Sequence, residues 1–298
     1  MCEVSTIRPV EDTAERAQPA RPSQGDVHTV RMVLGLRSAI GSDVGRRRTS
    51  NQDSGATTGR LLIVADGMGG HAHGEVASAV TVSAFTELEA RLPPDLIDLD
   101  LAAEMTEALV DATDRLGRRA AEDPETRGMG TTVVSLLLTG EQLALAHIGD
   151  SRIYRLRDDD LVQLTHDHTM VQQLVDQGQI TVEEAAHHPR RSVLMRALST
   201  DHAPEPDLDR IDIVEGDRFL LCSDGVTAVL DDATLQRELV SGAEPDAVVD
   251  RLIELANEAG GPDNITAIVA DVVELPDDEP RAQHLRVAGA AAEIAPSN

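Results

Sequence analysis

Two very short connections between apolar runs restrict what this chain can fold into. The run 131–138 reaches 143–148 through Thr139-Gly140-Glu141, and that run reaches 152–156 through Gly149-Asp150-Ser151. Runs this short, aliphatic and bounded by turn residues read as strands. Such connections allow hairpins and leave no room for a crossover helix, so the sheet they build is expected to be substantially antiparallel. Residues 61–65, Arg218–Cys222 and 265–273 have the same character. Helices appear as a 3.6 period, with Leu101, Met105, Ala108, Leu109, Ala112 and Leu116 on one face and Val248, Val249, Leu252, Ile253 and Ala256 on another. A third helix is expected near 73–90, after a glycine-rich turn. Between the central strands lies a helical insertion over 169–188, where Gly178 ends one helix and Thr181 with Glu184 forms a capping box for the next, with Ile180 at the staple position. Strands, helices and strands again, without βαβ alternation, predict an α+β layered architecture.

Both ends read differently. Residues 1–30 are rich in Pro, Gln, Glu, Arg and Ala and are expected to form a disordered leader. At the far end Leu275-Pro276-Asp277-Asp278-Glu279-Pro280 breaks structure, and a flexible tail is expected over 275–298. One domain over 31–274 remains. Aromatic residues are 1% of the chain, so its core must be aliphatic. The formal charge of -27 repels phosphate backbones and anionic lipid, which argues against nucleic acid or membrane as partners. Cys2 and Cys222 lie near opposite ends and indicate neither a disulfide framework nor a zinc site, a pattern that fits a cytoplasmic protein. No run approaches the about 18 apolar residues of a membrane helix.

The chemistry concentrates in acidic turns. Asp66-Gly67-Met68-Gly69-Gly70-His71 follows the strand 61–65 and precedes a helix. A carboxylate beside a glycine carbonyl offers hard oxygen donors suited to Mg²⁺ or Mn²⁺ rather than zinc. The same grammar recurs at Gly149-Asp150-Ser151, Ser223-Asp224-Gly225 and Gly261-Pro262-Asp263-Asn264, each at a strand end. Antiparallel strands can gather four such aspartates at one sheet edge, where like charges repel unless a cation lies between them.

With Ser42-Asp43-Val44-Gly45, Arg48, Asn51-Gln52-Asp53-Ser54, Gly128-Met129-Gly130-Thr131-Thr132 and His147-Ile148-Gly149-Asp150-Ser151-Arg152 added in order, the chain resembles the protein phosphatase 2C family, the metal-dependent PPM serine/threonine phosphatases, in its bacterial form. The resemblance implies a four-layer α-β-β-α sandwich of two mainly antiparallel sheets with flanking helices and a helical flap over about 165–198. It implies hydrolysis of phosphoserine or phosphothreonine by a water that two core Mn²⁺ or Mg²⁺ ions activate for in-line attack, with a third, weaker ion. Asp66 would bridge the core ions, Gly67 would lend its carbonyl, Asp224 and Asp263 would complete one shell, and Asp150 with Asp224 would hold the third ion. Arg48 matches the family's phosphate-binding arginine.

Two departures from the family pattern stand out. Gln52 replaces a glutamate of many members, leaving Gln52 and Asp53 as candidates for the second ion's shell. Met68 occupies the place of a histidine that in animal relatives is proposed as general acid, and His71 is the nearby candidate for that role. The flap histidines His166, His168, His187 and His188 match no zinc spacing and are expected on the surface, while Arg190, Arg191 and Arg196 are candidates to contact acidic substrate segments. Phosphorylated proteins are the expected partners, Hanks-type kinases among them, with the chain a monomer. The alternatives are a hydrolase of small phosphate esters and a dedicated regulator acting on one anti-sigma-type partner.

Overall fold

The computed structural model describes Met1 and residues 32–69, 73–93, 96, 99–200, 202–276 and 284–294. Two antiparallel sheets face one another. The first orders β1 (Met32–Asp43), β12 (Ile265–Pro276), β11 (Arg218–Cys222), β7 (Arg152–Arg157) and β8 (Asp160–Gln163). The second orders β10 (Asp207–Asp212), β6 (Gln142–Ile148), β5 (Val133–Thr139), β3 (Leu61–Met68), β2 (Asp53–Thr57) and β13 (Arg286–Gly289), with β4 (Gly130–Thr131) and β9 (Leu198–Ser199) branching from β3.

Three aliphatic layers hold this arrangement together, and each contains one of the chain's three large aromatic rings. Between the sheets Leu36, Leu62, Val64, Val134, Leu136, Ile153, Phe219, Leu221 and Ile268 interdigitate. On the outer face of the second sheet, α1 (Gly74–Arg91) and α2 (Leu101–Glu122) pack Phe85, Leu88, Met105, Leu109 and Leu116 against Leu61, Ile63 and Leu137. On the outer face of the first, α6 (Asp232–Val240) and α7 (Pro245–Glu258) bring Leu235, Leu239, Val249 and Leu252 onto Tyr154, Leu220 and Val269. Helix, sheet, sheet and helix are therefore stacked as expected. The apolar face read from α2 is the buried one, Leu101, Met105, Ala108, Leu109, Ala112 and Leu116 all lying inside.

The flap carries α3 (Met170–Asp176) and α4 (Val182–Ala186) between β8 and β9. Gly178 has φ +65 after the first, and Thr181 and Glu184 form the reciprocal capping box of the second. The two ends of the flap are closed on each other by paired backbone bonds, Met170 N–H to Val193 O at 2.9 Å and Met195 N–H to His168 O at 2.7 Å.

Two expectations need correction. The runs 143–148 and 152–156 do not form a hairpin, because β6 lies in one sheet and β7 in the other, and Gly149-Asp150-Ser151 carries the chain between sheets. β6 is buried on every residue but its first and β7 at Ile153, Tyr154 and Leu156, with none of either exposed, so each is satisfied inside a different sheet rather than as a half-solvated pair. The tail is not flexible throughout: β12 extends to Pro276, and residues 286–294 form β13 and α8 (Ala290–Ile294). Small residues let this strand reach the edge of β2, pairing Arg286 with Thr57 through Gly289 with Ser54, while Arg286 also donates to Asp246 and to the carbonyl of Ser38. The leader 1–30 lies outside the described residues apart from Met1. Finally, β1, β2, β8 and β10 join the sheets although their sequences are too polar or glycine-rich to announce strands.

The last strand can be tested at its tightest contact. Gly289 has φ +72, and a Cβ there would lie 2.2 Å from the carbonyl oxygen of Asp53. Gly289→Val is expected to lower stability by about 1–3 kcal/mol, measured as a shift in the urea midpoint; an unchanged midpoint would mean that β13 does not pair with β2.

Candidate active site

Registry brings the acidic turns to one end of the sandwich. Asp53 at the start of β2 pairs directly with Asp66 near the end of β3. Cys222, the last residue of β11, pairs with Arg152 at the start of β7 and with Ala267 in β12, so the turns holding Asp150, Asp224 and Asp263 open on the same side of the first sheet. Asp224 is the first residue of α5 (Asp224–Thr227).

Short side chains then tie the two sheets together around these carboxylates. Ser223 Oγ donates to Asp53 Oδ2 at 2.7 Å and accepts from Thr266 N–H at 3.1 Å. Thr132 bonds Asp66 twice, accepting from its N–H at Oγ1 (3.0 Å) and donating its own N–H to its carbonyl (2.9 Å), and Thr132 Oγ1 lies 2.7 Å from Ser151 Oγ. Asn264, 3% exposed, is a hub: its Nδ2 donates to the carbonyls of Val44 and Ser50, its Oδ1 accepts from Gln52 N–H, and its N–H donates to Asp263 Oδ1. Gly67 sits so close to the carbonyls of Gln52 and Gly74 that a Cβ would lie 2.4 Å and 2.1 Å from them. Only glycine allows β3 and the start of α1 to approach this closely.

Electrostatics show how crowded the cluster is. Asp66 is raised well above the ordinary carboxylate range, first by burial and then by Asp53, Asp224, Asp150 and Asp263. Burial is also the main cause for Asp53, raised to about 7 with Asp224 and Asp263 adding to it against hydrogen bonds from Ser223 and Thr266. Burial followed by Asp224 and Asp167 takes Asp150 to about 7. Asp224 is raised by burial and by Asp263, and hydrogen-bonds to Asp66. Carboxylates that raise one another in this way, with a nearby carbonyl, form an all-oxygen donor set of the kind that hard divalent cations fill.

Arg48 Nη2 donates to Asp263 Oδ2 at 2.7 Å, a half-exposed pair at the rim. Beside this cluster, between the flap and α5, lies a pocket of about 470 Å³ that shares Asp150 and Asp224 with it and is otherwise lined by residues such as Arg191, Val171 and Val175 of the flap. Arg48, Asp53, Asp66, Asp150, Asp224 and Asp263 are therefore brought together, and Gly67 is adjacent. Gln52 turns its side-chain amide to Glu75, donating to Oε2 at 3.1 Å. His71 lies outside the described residues. Of the flap arginines, Arg191 lines that pocket, whereas Arg196 is half-exposed and paired with Asp207 at 2.8 Å. His168 is 4% exposed rather than on the surface, because it is packed behind the turn that holds Asp150. The bonding roles of Ser223, Thr266, Thr132 and Asn264 escape sequence reasoning; Ser223 and Asn264 carry a signal, a small polar residue directly beside Asp224 and Asp263, whereas Thr132 and Thr266 carry none.

Comparison with known proteins bears on what such a site belongs to. The sequence model of the protein phosphatase 2C family matches residues 40–270. This chain belongs to the protein phosphatase 2C family. It is 47% identical over 244 residues to the serine/threonine protein phosphatase PstP of Mycobacterium tuberculosis, covering 82% of this chain and 46% of PstP, so it spans about half the length of that relative. It is 34% identical over 241 residues to the serine/threonine phosphatase stp of Listeria innocua, covering 79% of this chain and 96% of that protein. The catalytic domain of PstP, solved in complex with two manganese ions, superposes with a TM-score of 0.74 at 45% identity, covering 80% of this chain and 99% of that one. The two-sheet architecture is thus that of the phosphatase 2C structures.

The Asn264 hub generates a prediction. Asn264→Ala strands the carbonyls of Val44 and Ser50 and the N–H of Gln52, and is expected to cost about 1–3 kcal/mol in urea unfolding. Unchanged stability would show that the loop carrying Arg48 is fixed by other contacts.

Proposed function

We propose that this chain is a metal-dependent serine/threonine protein phosphatase that hydrolyses phosphoserine and phosphothreonine in other proteins. The observation that carries this reading is the convergence of Asp53, Asp66, Asp150, Asp224 and Asp263 on one cleft beside Arg48. The relatives named above and the two manganese ions of the PstP domain support it. Asp66, the Gly67 carbonyl, Asp224 and Asp263 would hold two core Mn²⁺ or Mg²⁺ ions, and Asp150 with Asp224 a third, weaker one. Bound there, divalent cations lower the pKa of water and neutralise phosphoryl oxygens.

The chain's own residues supply the rest. Arg48 pairs with Asp263 at the rim, and its planar fork would exchange that carboxylate for two oxygens of a phosphoryl group. Exposed pairs of this kind hold weakly, so that exchange is inexpensive. Asp53, locked by Ser223 and paired across from Asp66, fixes the inner wall of the cleft. Arg191 on the flap places a second cation at the mouth, where it favours anionic substrate segments. Phosphorylated proteins are the proposed partners, Hanks-type kinases among them, with the chain acting as a monomer in the cytoplasm, a setting in keeping with the buried free thiol of Cys222. Among the described residues no helix is long and apolar enough to cross a membrane.

A phosphothreonine peptide and p-nitrophenyl phosphate assayed with Mn²⁺ and with EDTA test the reading. Turnover is expected only with the ion, and equal turnover in chelator would remove the mechanism. Peptide turnover well above that of the small ester supports a protein substrate, and the reverse favours small phosphate esters. Asp66→Asn is expected to abolish activity with the fold retained. Arg48→Ala should raise KM for the peptide by roughly tenfold or more with a smaller effect on kcat; an unchanged KM would deny Arg48 the phosphate.

A further inference from the structure

Behind the Asp150 turn lies a buried group of polar side chains that the proposed chemistry does not use. His147 is 1% exposed, and neither of its ring nitrogens has a hydrogen-bond partner among the described residues. Its ring lies 4.4 Å from that of His168, tilted by 34°. His168 Nε2 is 3.0 Å from Asp207 Oδ2, and Arg196 donates to Asp207 Oδ1 at 2.8 Å. His147, His168 and Asp207 offer ligand atoms all within 4.8 Å of one another, the spacing of a transition-metal site.

Hydrogen bonding points away from a metal there. Gly149 N–H, which can only donate, gives its hydrogen bond to His168 Nδ1 at 3.1 Å. That occupies the Nδ1 lone pair and, in a neutral ring, leaves the proton on Nε2, where it is donated to Asp207. A cation at Nε2 would need the lone pair that this proton covers. The same residue also holds the other side of the Gly149 peptide, because His168 N–H donates to Gly149 O at 2.8 Å. His168 therefore grips Gly149 at both its N–H and its C=O, immediately before Asp150. Its own orientation is fixed by Asp207 on β10 and its carbonyl by Met195 N–H at the end of the flap. On the opposite side the turn is held by Thr132 against Ser151.

We infer that His168, oriented by Asp207 and Arg196, is a positioning residue that sets the Asp150 carboxylate for cation binding and couples it to the base of the flap. The inference rests on reading Asp150 as a ligand of the weaker ion. A neutral ring suits the role, and burial together with Arg196 keeps His168 below the ordinary histidine range despite Asp207. Outer groups that orient a ligand commonly change metal affinity by about 10–100-fold when removed.

Mn²⁺ titration of the full chain by calorimetry, with protein-bound Mn²⁺ counted by paramagnetic resonance, tests this separately from turnover. The weaker binding event is identified as the one lost in Asp150→Asn. His168→Ala is expected to weaken that event by about tenfold or more while the tighter events keep their affinity. His168→Asn, whose Oδ1 can take the Gly149 N–H, is expected to recover most of the loss. If His168→Ala does not fold, Asp207→Ala, which frees the ring without emptying its site, should weaken the same event severalfold. Equal weakening of all events, an unchanged curve in the folded variants, or Zn²⁺ bound by the wild type and lost in His147→Ala would each overturn the inference. Wild-type protein that binds no Mn²⁺ would instead remove the cation reading of Asp150 itself.

Discussion

Mutual repulsion among carboxylates is the interaction around which this molecule is organised. Asp53, Asp66, Asp150, Asp224 and Asp263 are spread over more than two hundred residues of chain, yet each is raised by, or raises, its neighbours in one cleft. Gathering such groups away from water costs free energy that a packed scaffold must supply in advance. Here the scaffold is aliphatic. Three leucine-, valine- and isoleucine-rich layers fix the two sheets, and the sheets fix the turns.

The bonds that turn this scaffold into a site are short and local. Ser223 bridges β11, β12 and Asp53; Thr132 bridges Asp66 and the turn between the sheets; Asn264 closes the loop that carries Arg48. Each is a small polar side chain with its hydrogen bonds made in a buried position, so the cleft is rigid before any ligand arrives. Rigidity of this kind fits chemistry that depends on placing cations and phosphate rather than on a covalent intermediate.

Much of this was legible in the sequence because turn chemistry is local. Asp66, Asp150 and Asp224 stand beside glycine and Asp263 two residues after Gly261, all at strand ends, and the strands flanking them are strongly aliphatic. What could not be read is set by partners far along the chain. The polar strands β2, β10 and β13 exist because a neighbouring strand offers main-chain hydrogen bonds, which leave no hydrophobic period. The connection at Gly149-Asp150-Ser151 has the length of a hairpin, and only the burial of β6 and β7 in separate sheets sends it across the sandwich. Histidines in a helical insertion look solvated, yet His168 is buried because β10 brings Asp207 beside it from 39 residues away.

The account stands on cations sharing the acidic cleft. Anomalous diffraction from crystals grown with Mn²⁺, collected on both sides of the manganese edge, measures this directly. Peaks bounded by Asp66, Asp224 and Asp263, with Arg48 moved off Asp263, are the predicted result. Density without peaks in that cleft, or peaks confined to His147, His168 and Asp207, would contradict it.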